Sequence, residues 1–294
     1  MQTYLDCVPC FVRQTLEAVR FVTDDESVHD EVLRGVLRAA SEMDLRMAPP
    51  AMGQRIHRLI REATGNPDPY RGVKQRFNAL ALSLYPELKA RVAESADPLE
   101  AAVRLAIAGN IIDFGVTASL TDAAVHETID RALREPLIGG VEPLREAVAE
   151  ARDILFVADN AGEIVFDRLL IETLGGATVT VAVKSEPIIN DATVEDARAV
   201  GLTERWEVID NGSDAPGTLL DTCSAAFRER FARAGLVIAK GQANYETLSD
   251  AARPVFFILM AKCPVIAGHI GCQVGGLIAR LGAGTTAPVS DNAP

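Results

Sequence analysis

The sequence has little of what marks membrane, secreted or nucleic-acid-binding proteins. No uninterrupted apolar run reaches the roughly 18 residues that a membrane-spanning helix needs. The first residues carry neither a basic segment nor a long apolar stretch, so we expect no secretory signal. Basic residues are in deficit, since 29 Lys and Arg face 41 Asp and Glu, for a formal net charge of −12. That charge repels backbone phosphates, so we expect neither nucleic acid nor a membrane as a partner.

Cysteine, histidine and nucleotide-binding motifs are also sparse. The five cysteines are odd in number and thinly spread, so we expect no disulfide framework and a cytoplasmic location. No HxxxH or HxH pair occurs, which argues against a histidine-ligated catalytic metal. GxxxxGK[ST] and GxGxxG are missing, which disfavours a nucleoside triphosphatase and a standard dinucleotide enzyme. A hydrophobic fraction of 48% over 294 residues still predicts a globular protein of one large or two smaller domains.

What is present divides the chain into two halves of different character. In the first half, apolar residues recur at helical spacing, as in the stripe that follows Asp24 and Asp25, either of which is placed to cap a helix. Another stripe follows Pro98, which suits the first position of a helix. A further predicted helix ends near Pro86. These patterns predict an all-helical domain over residues 1–150.

After residue 153 the pattern changes to short apolar runs that alternate with amphipathic stretches. The runs are rich in β-branched residues and apolar on both faces, as expected of parallel strands that helices cover on both sides. This alternation predicts an α/β domain over residues 151–294 with a doubly wound, mostly parallel sheet. The predicted strands are ILFVA (154–158), VTVAV (179–183), WEVI (206–209), LVIA (236–239), FFIL (256–259) and VIA (265–267).

Polar side chains gather directly after four of these predicted strands. In an open parallel sheet, ligands bind at the carboxyl ends of the strands. One Asp-Asn pair has an ordinary explanation as a turn or a helix cap, but four polar clusters at the same edge predict a site. The clusters contain Asp159, Asn160 and Glu163, then Lys184, Glu186, Asn190 and Asp191, then residues 210–213, and finally Lys240, Gln242 and Asn244.

The residue types in these clusters favour a hard divalent ion. Asp159, Asn160 and Asp191 supply oxygen ligands of the kind that Mg²⁺ and Mn²⁺ prefer. Two carboxylates balance the charge of one such ion, and the amide adds an oxygen without adding repulsion. We therefore predict that these three residues bind the metal and carry the catalysis.

The same clusters offer contacts for a phosphate group. Lys240 provides a positive charge for it. We expect backbone N–H groups of the turns at 161–162 and 212–213 to bind the remaining phosphate oxygens. The combination fits metal-assisted hydrolysis of a phosphate ester.

Four further polar residues are candidates for substrate contacts. Asn78 lies on a predicted helix that is able to reach over the site, although a solvated helix face explains it equally well. Asn110 and Asp113 lie where a helix ends, so helix capping is the alternative to a role in the site. Glu163 is placed to orient a water molecule or to act as a base, and also to favour the N-terminus of its helix.

Cys7 and Cys10 have the spacing of a metal half-site or of a redox pair. A complete zinc site needs two more ligands, for which Cys263, Cys272 and His269 are available. The alternative is two buried cysteines one turn apart on a helix. The sequence leaves both interpretations open.

Longer stretches of the sequence resemble one known family. In the α/β half these stretches are ADNAGEIVFDRLLIETL, EPIINDATVEDA, NGSDAPGT and VIAKGQANYETL, and in the helical half they are the cysteine pair, DPYRGVKQRFN and AGNIIDFG. Together they resemble the DUF89 family, also called the damage-control phosphatases or the ARMT1-like family. The motifs are long and specific and extend over nearly the whole chain. The N-terminal cysteine pair makes the sequence most similar to the stand-alone prokaryotic branch.

The resemblance implies a fold, an activity and a set of residues. The implied fold is a helical domain packed against a Rossmann-like α/β domain. The family's metal ligands match Asp159, Asn160 and Asp191, and its phosphate-contacting lysine matches Lys240, with Asn244 beside it. The implied activity is that of a phosphatase dependent on Mn²⁺, Mg²⁺, Co²⁺ or Ni²⁺. Its substrates would be small phosphorylated metabolites, such as sugar phosphates or damaged side products.

Two other functions remain as alternatives. The α/β half and one of the family's names suggest an S-adenosylmethionine-dependent carboxyl methyltransferase, but the loop after the first strand has a single glycine where that cofactor needs a glycine-rich loop. The second alternative is a non-catalytic sensor of a phosphorylated metabolite, which an assay of phosphatase turnover distinguishes from an enzyme. The sequence leaves the substrate, the preferred ion, the nucleophile and the oligomeric state open.

Overall fold

A computed structural model describes residues 1–111, 122–282 and 284, which form twelve α-helices and seven β-strands. No helix in these ranges is both long and apolar enough to cross a membrane. The helices are α1 (Cys7–Val22), α2 (Glu26–Ser41), α3 (Pro49–Thr64), α4 (Arg71–Glu94), α5 (Pro98–Ile111), α6 (Asp122–Arg134), α7 (Glu142–Glu150), α8 (Glu163–Thr173), α9 (Val194–Ala199), α10 (Ala225–Arg233), α11 (Gln242–Leu248) and α12 (Pro264–Ile270). The strands are β1 (Leu137–Ile138), β2 (Asp153–Val157), β3 (Thr178–Val183), β4 (Glu207–Asp210), β5 (Leu236–Lys240), β6 (Phe256–Met260) and β7 (Leu277–Leu281).

The seven strands form one sheet in the order β1-β7-β6-β5-β2-β3-β4. Neighbouring strands from β2 to β6 run parallel, whereas β7 is antiparallel to β6. The order reverses at β2, because the chain moves outward through β3 and β4 and then returns to β5 on the other side of β2. This arrangement confirms the predicted α/β class with a mostly parallel, doubly wound sheet.

Alternate side chains of the central strand β2 enter two different cores. Ile154 and Phe156 pack with residues of α5 and α8 on one face, and Leu155 and Val157 pack with residues of α10, α11 and α12 on the other. All four side chains are buried. Because helices cover both faces of the sheet, the central strands are mainly apolar on both faces, which is the pattern that the sequence shows for them.

Helices α1, α2 and α3 enclose a third core of their own. A polar contact joins this three-helix unit to the loop after β4. There the Asp214 carboxylate accepts hydrogen bonds from Gln54 (2.6 Å), Arg58 (2.6 and 2.8 Å) and Arg61 (2.6 Å). Burial acts to raise the pKa of Asp214, but these hydrogen bonds outweigh it and lower the pKa to about 2.

The predicted helix starts are confirmed, and one predicted end is wrong. Asp25 caps α2 through a hydrogen bond to a backbone N–H, and Pro98 begins α5. Helix α4, however, continues through Pro86 for two further turns. Leu88 and Val92, which follow the proline, are buried in the core. Their burial compensates for the backbone hydrogen bond that proline removes.

Two expectations about the sheet are also wrong. The run at 265–267 belongs to helix α12 and not to a strand. Pro264 begins this helix and Ile266 is buried, and an apolar run of three residues does not distinguish a strand from a buried helix turn. The short strand β1 lies within the half that was predicted to be all-helical, and it pairs with β7 at the edge of the sheet.

Candidate functional site

The polar residues selected from the sequence lie where the strand order reverses. Strands β2 and β5 are parallel neighbours. The first leads into Asp159, and the second ends at Lys240. In open α/β sheets, ligands bind in the crevice outside the carboxyl ends of the strands at such a reversal. The fold therefore places these residues where a ligand site is expected.

Backbone hydrogen bonds join the loop after β2 to the loop after β3. Asn160 and Asp191 form an isolated antiparallel bridge. On one side of it the Ala192 N–H donates to the Asp159 carbonyl (2.8 Å), and on the other the Ala161 N–H donates to the carbonyl of the residue before Asp191 (2.8 Å). The structure thus brings together the three residues that the sequence predicts as metal ligands.

Two asparagine amides hold a pair of buried carboxylates in the same place. Asn110 Nδ2 donates to Asp159 Oδ2 and to Glu163 Oε2, at 2.9 Å each. Asn160 Nδ2 donates to the same two oxygens at 3.0 Å each. Asn110 and Glu163 therefore lie in direct contact with Asp159 or its partners, and their roles in substrate binding stay predictions. Asp113, the neighbouring candidate, lies outside the described residues.

Lys240 lies beside this pair and is fully buried. Its ammonium group donates to Glu163 Oε1 (2.6 Å), Asp167 Oδ1 (2.5 Å) and the Ala106 carbonyl (3.0 Å). Burial acts to lower the pKa of Lys240. The carboxylates of Asp167 and Glu163 outweigh this effect and raise the pKa above the ordinary value. Because an ammonium group has three N–H donors, a contact with phosphate requires Lys240 to leave one of these partners. Its phosphate-binding role stays a prediction.

Sequence reasoning missed Asp167. It lies one turn after Glu163 in α8 and is 1% exposed. Burial raises the pKa of Asp167 above its ordinary range, although the charge of Lys240 opposes the rise. The sequence signal for Asp167 was its position one helical turn after Glu163, which places both carboxylates on one face of the helix.

Asp191 pairs with a second buried ammonium group, that of Lys184. Lys184 Nζ lies 3.5 Å from Asp191 Oδ2 and also donates to the Gly217 carbonyl. Asp191 Oδ2 is buried and accepts no hydrogen bond within the described part of the chain. Burial raises the pKa of Asp191, and Lys184 opposes the rise. Lys184 is therefore the cation that faces this oxygen in the structure, and the role of Asp191 as a metal ligand stays a prediction.

Negative charge exceeds positive charge among the buried groups. Burial raises the pKa of Asp159 well above its ordinary value, and the charges of Glu163 and Asp191 raise it further, while the charges of Lys262 and Lys184 oppose the rise. When ionised, four carboxylates face two ammonium groups, which leaves a formal charge of −2. We call the four carboxylates the acid cluster: they are Asp159, Glu163, Asp167 and Asp191, and the two ammonium groups that contact them are those of Lys184 and Lys240.

The backbone N–H groups that were predicted to bind phosphate are already occupied, so that prediction is wrong for this arrangement. Asparagine and aspartate side chains near the turns accept hydrogen bonds from three of these donors, and a backbone carbonyl accepts from the fourth. The pairs are Ala161 N–H to Asn190 O (2.8 Å), Gly162 N–H to Asn78 Oδ1 (2.7 Å), Gly212 N–H to Asp210 Oδ1 (3.0 Å) and Ser213 N–H to Asn211 Oδ1 (3.0 Å).

Two other predicted substrate contacts, Asn78 and Asn244, use their amides to join elements of the protein. Asn78 connects α4 to Gly162 and, through Nδ2, to Asp196 Oδ1 (3.0 Å). Asn244 is fully buried, and its Nδ2 donates to backbone carbonyls just after β2 (3.1 Å) and at the end of β5 (2.7 Å). Their roles in substrate binding stay predictions.

Gly241 permits the close approach of β5 to the acid cluster. Its φ is +79°, and a Cβ atom built there would lie 1.8 Å from Asp159 Oδ2. A side chain at this position would displace the Asp159 carboxylate. Glycine is therefore required where the chain leaves β5.

The cysteines form no metal site in the part of the chain that the structure describes. All five are free. No group of three or more His, Cys, Asp and Glu side chains among residues 1–111, 122–282 and 284 is arranged to hold a metal ion. The set predicted at the sheet edge has two carboxylates and an amide, that of Asn160. Cys7 and Cys10 are half-buried in α1, where burial raises the pKa of the Cys7 thiol.

Sequence comparisons place the chain among known proteins. Residues 3–278 match the family model of the damage-control phosphatase ARMT1-like domain. A protein of Archaeoglobus fulgidus named damage-control phosphatase is 34% identical over 282 residues, which cover 94% of this chain and 97% of that protein. A protein of Pyrococcus horikoshii with the same name is 35% identical over 286 residues, which cover 95% of this chain and 97% of that protein.

Structural comparison gives the same result. The crystal structure of a DUF89 family protein from Pyrococcus horikoshii superposes with a TM-score of 0.87 at 33% sequence identity. The superposition covers 96% of this chain and 99% of that chain, so it includes the helical half as well as the sheet. From the family match and these relatives we conclude that the protein belongs to the damage-control phosphatase ARMT1-like family, also called DUF89.

Proposed function

We propose that the protein is a divalent-metal-dependent phosphatase that hydrolyses phosphate monoesters of small metabolites. The observation that carries the proposal is the excess of two negative charges between the acid cluster and the Lys184 and Lys240 ammonium groups, which lie near the ends of β2, β3 and β5. Buried charge is costly unless an opposite charge balances it, and one divalent cation supplies that balance. The names of the two archaeal relatives support phosphatase chemistry.

The donor atoms of the site fit a hard divalent ion. Asp159 and Asp191 would hold it through carboxylate oxygens, and Asn160 through its amide oxygen. Asp191 Oδ2 is buried without a hydrogen bond, so a metal ion bound there would compete only with the Lys184 ammonium, which lies 3.5 Å away. When bound, such an ion polarises a phosphoryl group and stabilises the charge that develops on its oxygens.

The surrounding residues fix the proposed ligands in place. Asn110 orients Asp159 and Glu163 by donating to both carboxylates. Lys240 holds the other oxygen of Glu163. Both carboxylate oxygens of Glu163 are thus engaged, and it acts as a positioning residue in this arrangement. Fixed partners of this kind keep a site ordered before its ligand binds.

The positive charge for a bound phosphate comes, we infer, from Lys184. Its ammonium group lies beside Asp191, whereas the three donors of Lys240 all point to protein acceptors. Lys184 is therefore the buried cation next to a proposed metal ligand, and its charge would attract a phosphate there. Lys240 would contribute indirectly, by holding Glu163.

The metal dependence is tested with protein that has been treated with a chelator and freed of metal. We expect it to hydrolyse p-nitrophenyl phosphate only after addition of Mn²⁺, Mg²⁺, Co²⁺ or Ni²⁺. Asp191→Asn should abolish this recovery, and the exposed Asp221→Asn should not. Undiminished turnover in the presence of the chelator would contradict the proposal.

The alternatives are tested separately. Calorimetric titration with S-adenosylmethionine examines the methyltransferase alternative, and we expect no binding heat. Repeated turnover of p-nitrophenyl phosphate excludes a sensor that only binds its ligand.

A further inference from the structure

The turn that leads into Asp191 contains a strained residue, Ile189. Within the described part of the chain, Ile189 is the only non-glycine residue with a positive φ, of +45°. It is the second residue of a four-residue turn, closed by a hydrogen bond from the Asp191 N–H to the Ile188 carbonyl (3.0 Å). Turns with a positive φ at this position favour glycine, and a β-branched residue there is strained. We call residues 188–191 the Asp191 turn.

The conformation of Ile189 determines where the rest of the Asp191 turn lies. After Ile189, the Asn190 carbonyl accepts a hydrogen bond from the Ala161 N–H (2.8 Å), and Asp191 forms its backbone bridge with Asn160. Relaxation of Ile189 to a negative φ would change the direction of the chain and separate these partners. Strain of this kind persists only where surrounding contacts hold the chain in place.

Helix α3 supplies a polar contact that holds the chain just before the strained residue. Arg61 Nη1 donates to the Pro187 carbonyl (2.9 Å), two residues before Ile189. Nη2 of the same guanidinium donates to Asp214 Oδ2 (2.6 Å). Because the guanidinium is a rigid planar fork, its bond to Asp214 also fixes the donor that reaches Pro187. The Arg61 side chain is 20% exposed, so water competes little for these bonds.

Apolar packing accompanies this polar contact. His57 and Ile60 of α3 and Tyr70, just before α4, line one small hollow together with Ile188 and Ile189. The hollow has a volume of about 10 Å³, which is no more than the space that one water molecule needs. Ile60 and Ile188 are buried. The three-helix unit therefore packs against the Asp191 turn with little free space between them.

We propose that Arg61 is a positioning residue for the metal site, because it holds the strained Asp191 turn in the conformation that keeps Asp191 beside Asn160. The inference rests on the metal-dependent function proposed above. The three-helix unit supplies no carboxylate of the acid cluster, yet through Arg61 it determines the affinity of the site for a divalent ion.

The test uses two arginines that both bind Asp214. Arg61→Leu removes the contact with the Pro187 carbonyl together with one bond to Asp214. Arg58→Leu is the matched control, because Arg58 donates to Asp214 (2.6 and 2.8 Å) but has no hydrogen bond to the Asp191 turn or to Pro187 in the described ranges. A third variant combines Arg61→Leu with Ile189→Gly, since glycine adopts a positive φ without strain. Melting temperatures establish that each variant is folded.

Two measurements on metal-free protein are compared. Calorimetric titration with Mn²⁺ gives the Kd, and hydrogen exchange followed by mass spectrometry gives the protection of the segment 186–193. We expect Arg61→Leu to raise the Kd about tenfold or more, as loss of a residue that orients a ligand does, and to speed exchange in this segment about tenfold. Arg58→Leu should leave both values unchanged. Ile189→Gly should restore most of the affinity to Arg61→Leu, because the turn then needs no support.

Three outcomes would overturn the inference. They are an unchanged Kd and exchange rate in Arg61→Leu, an equal loss of affinity in Arg58→Leu, and no recovery of affinity on addition of Ile189→Gly. If the unmodified protein binds no Mn²⁺, the proposed function fails instead. The exchange rates, which need no metal, then still show whether Arg61 holds the Asp191 turn.

Discussion

Asn160 and Asp191 face each other across an isolated antiparallel backbone bridge, which fixes the loop after β2 against the loop after β3. The bridge and the hydrogen bond from Ala192 N–H to the Asp159 carbonyl (2.8 Å) involve main-chain atoms. The convergence of the two loops therefore does not depend on the side chains that we assign to the metal. Substitution of those side chains tests chemistry without dismantling the site.

Asp159→Ala is expected to abolish metal-dependent turnover while the protein stays folded. Removal of a proposed ligand should lower kcat for p-nitrophenyl phosphate by about 100-fold or more. The metal-free variant should be at least as stable as the unmodified protein, because one of four buried carboxylates is gone. Steady-state kinetics and urea unfolding measure the two effects, and Asp30→Ala, at an exposed ion pair, serves as control. Full activity in Asp159→Ala would refute the assignment.

Lys240→Met is expected to affect stability more than phosphate binding. The substitution leaves Glu163 and Asp167 buried without their cation, which should lower the free energy of unfolding by about 3–5 kcal/mol. Adding Asp167→Asn should recover part of this loss. Lys89→Met, at a pair whose lysine is 53% exposed, should change it by less than about 1 kcal/mol. A stable Lys240→Met variant with a raised KM would favour the direct phosphate contact instead.

The role of Lys240 shows what the sequence does and does not determine about the site. Its position after a buried strand correctly predicts that it lies at the carboxyl edge of the sheet. Its partners, however, come from α5 and α8, and their approach depends on how these helices pack on the sheet. A motif contains no information on whether a lysine points to a ligand or to a buried carboxylate. For the same reason, the pairing of Lys184 with Asp191 was not predicted.

Gly241→Ala is expected to disturb both stability and metal binding. The new methyl group would have a strained φ of +79° and would collide with Asp159 Oδ2. We expect a loss of about 2–4 kcal/mol in the free energy of unfolding and weaker Mn²⁺ binding in calorimetry. Gly72→Ala, where a Cβ meets nothing within 4 Å, should instead stabilise α4 by about 0.5–1 kcal/mol. Equal effects of the two substitutions would contradict the close approach.

Asp214→Asn is expected to weaken the attachment of the three-helix unit in a pH-dependent way. At neutral pH it should lower the free energy of unfolding by about 2 kcal/mol, discounted for partial exposure. Because the pKa of Asp214 is lowered in the folded state, its contribution is complete above the ordinary value of 3.8 and is lost as the pH falls towards about 2. The difference between variant and unmodified protein should therefore shrink in that window. Chemical denaturation at pH 7 and pH 3 measures it, and a difference that grows on acidification would be inconsistent with this account.

Most of the sheet was predictable because buried parallel strands appear as continuous apolar runs. The runs at 154–158, 179–183 and 236–239 became β2, β3 and β5 with shifts of one residue at their ends. Strand β7 was not predicted because its apolar run is short and the charged Arg280 interrupts it. This strand is the one that pairs antiparallel with β6. Helix α4 was predicted too short because proline is a strong local signal for the end of a helix. The helix continues past Pro86 because the residues after it are buried, and that burial depends on tertiary packing.

Calorimetric titration of metal-free protein with Mn²⁺ tests the central claim that two acids and an amide from separate loops share one cation. The account predicts one bound ion per chain in the unmodified protein and none in Asp159→Asn or Asp191→Asn. Undiminished binding in both variants, or none in the unmodified protein, would contradict it.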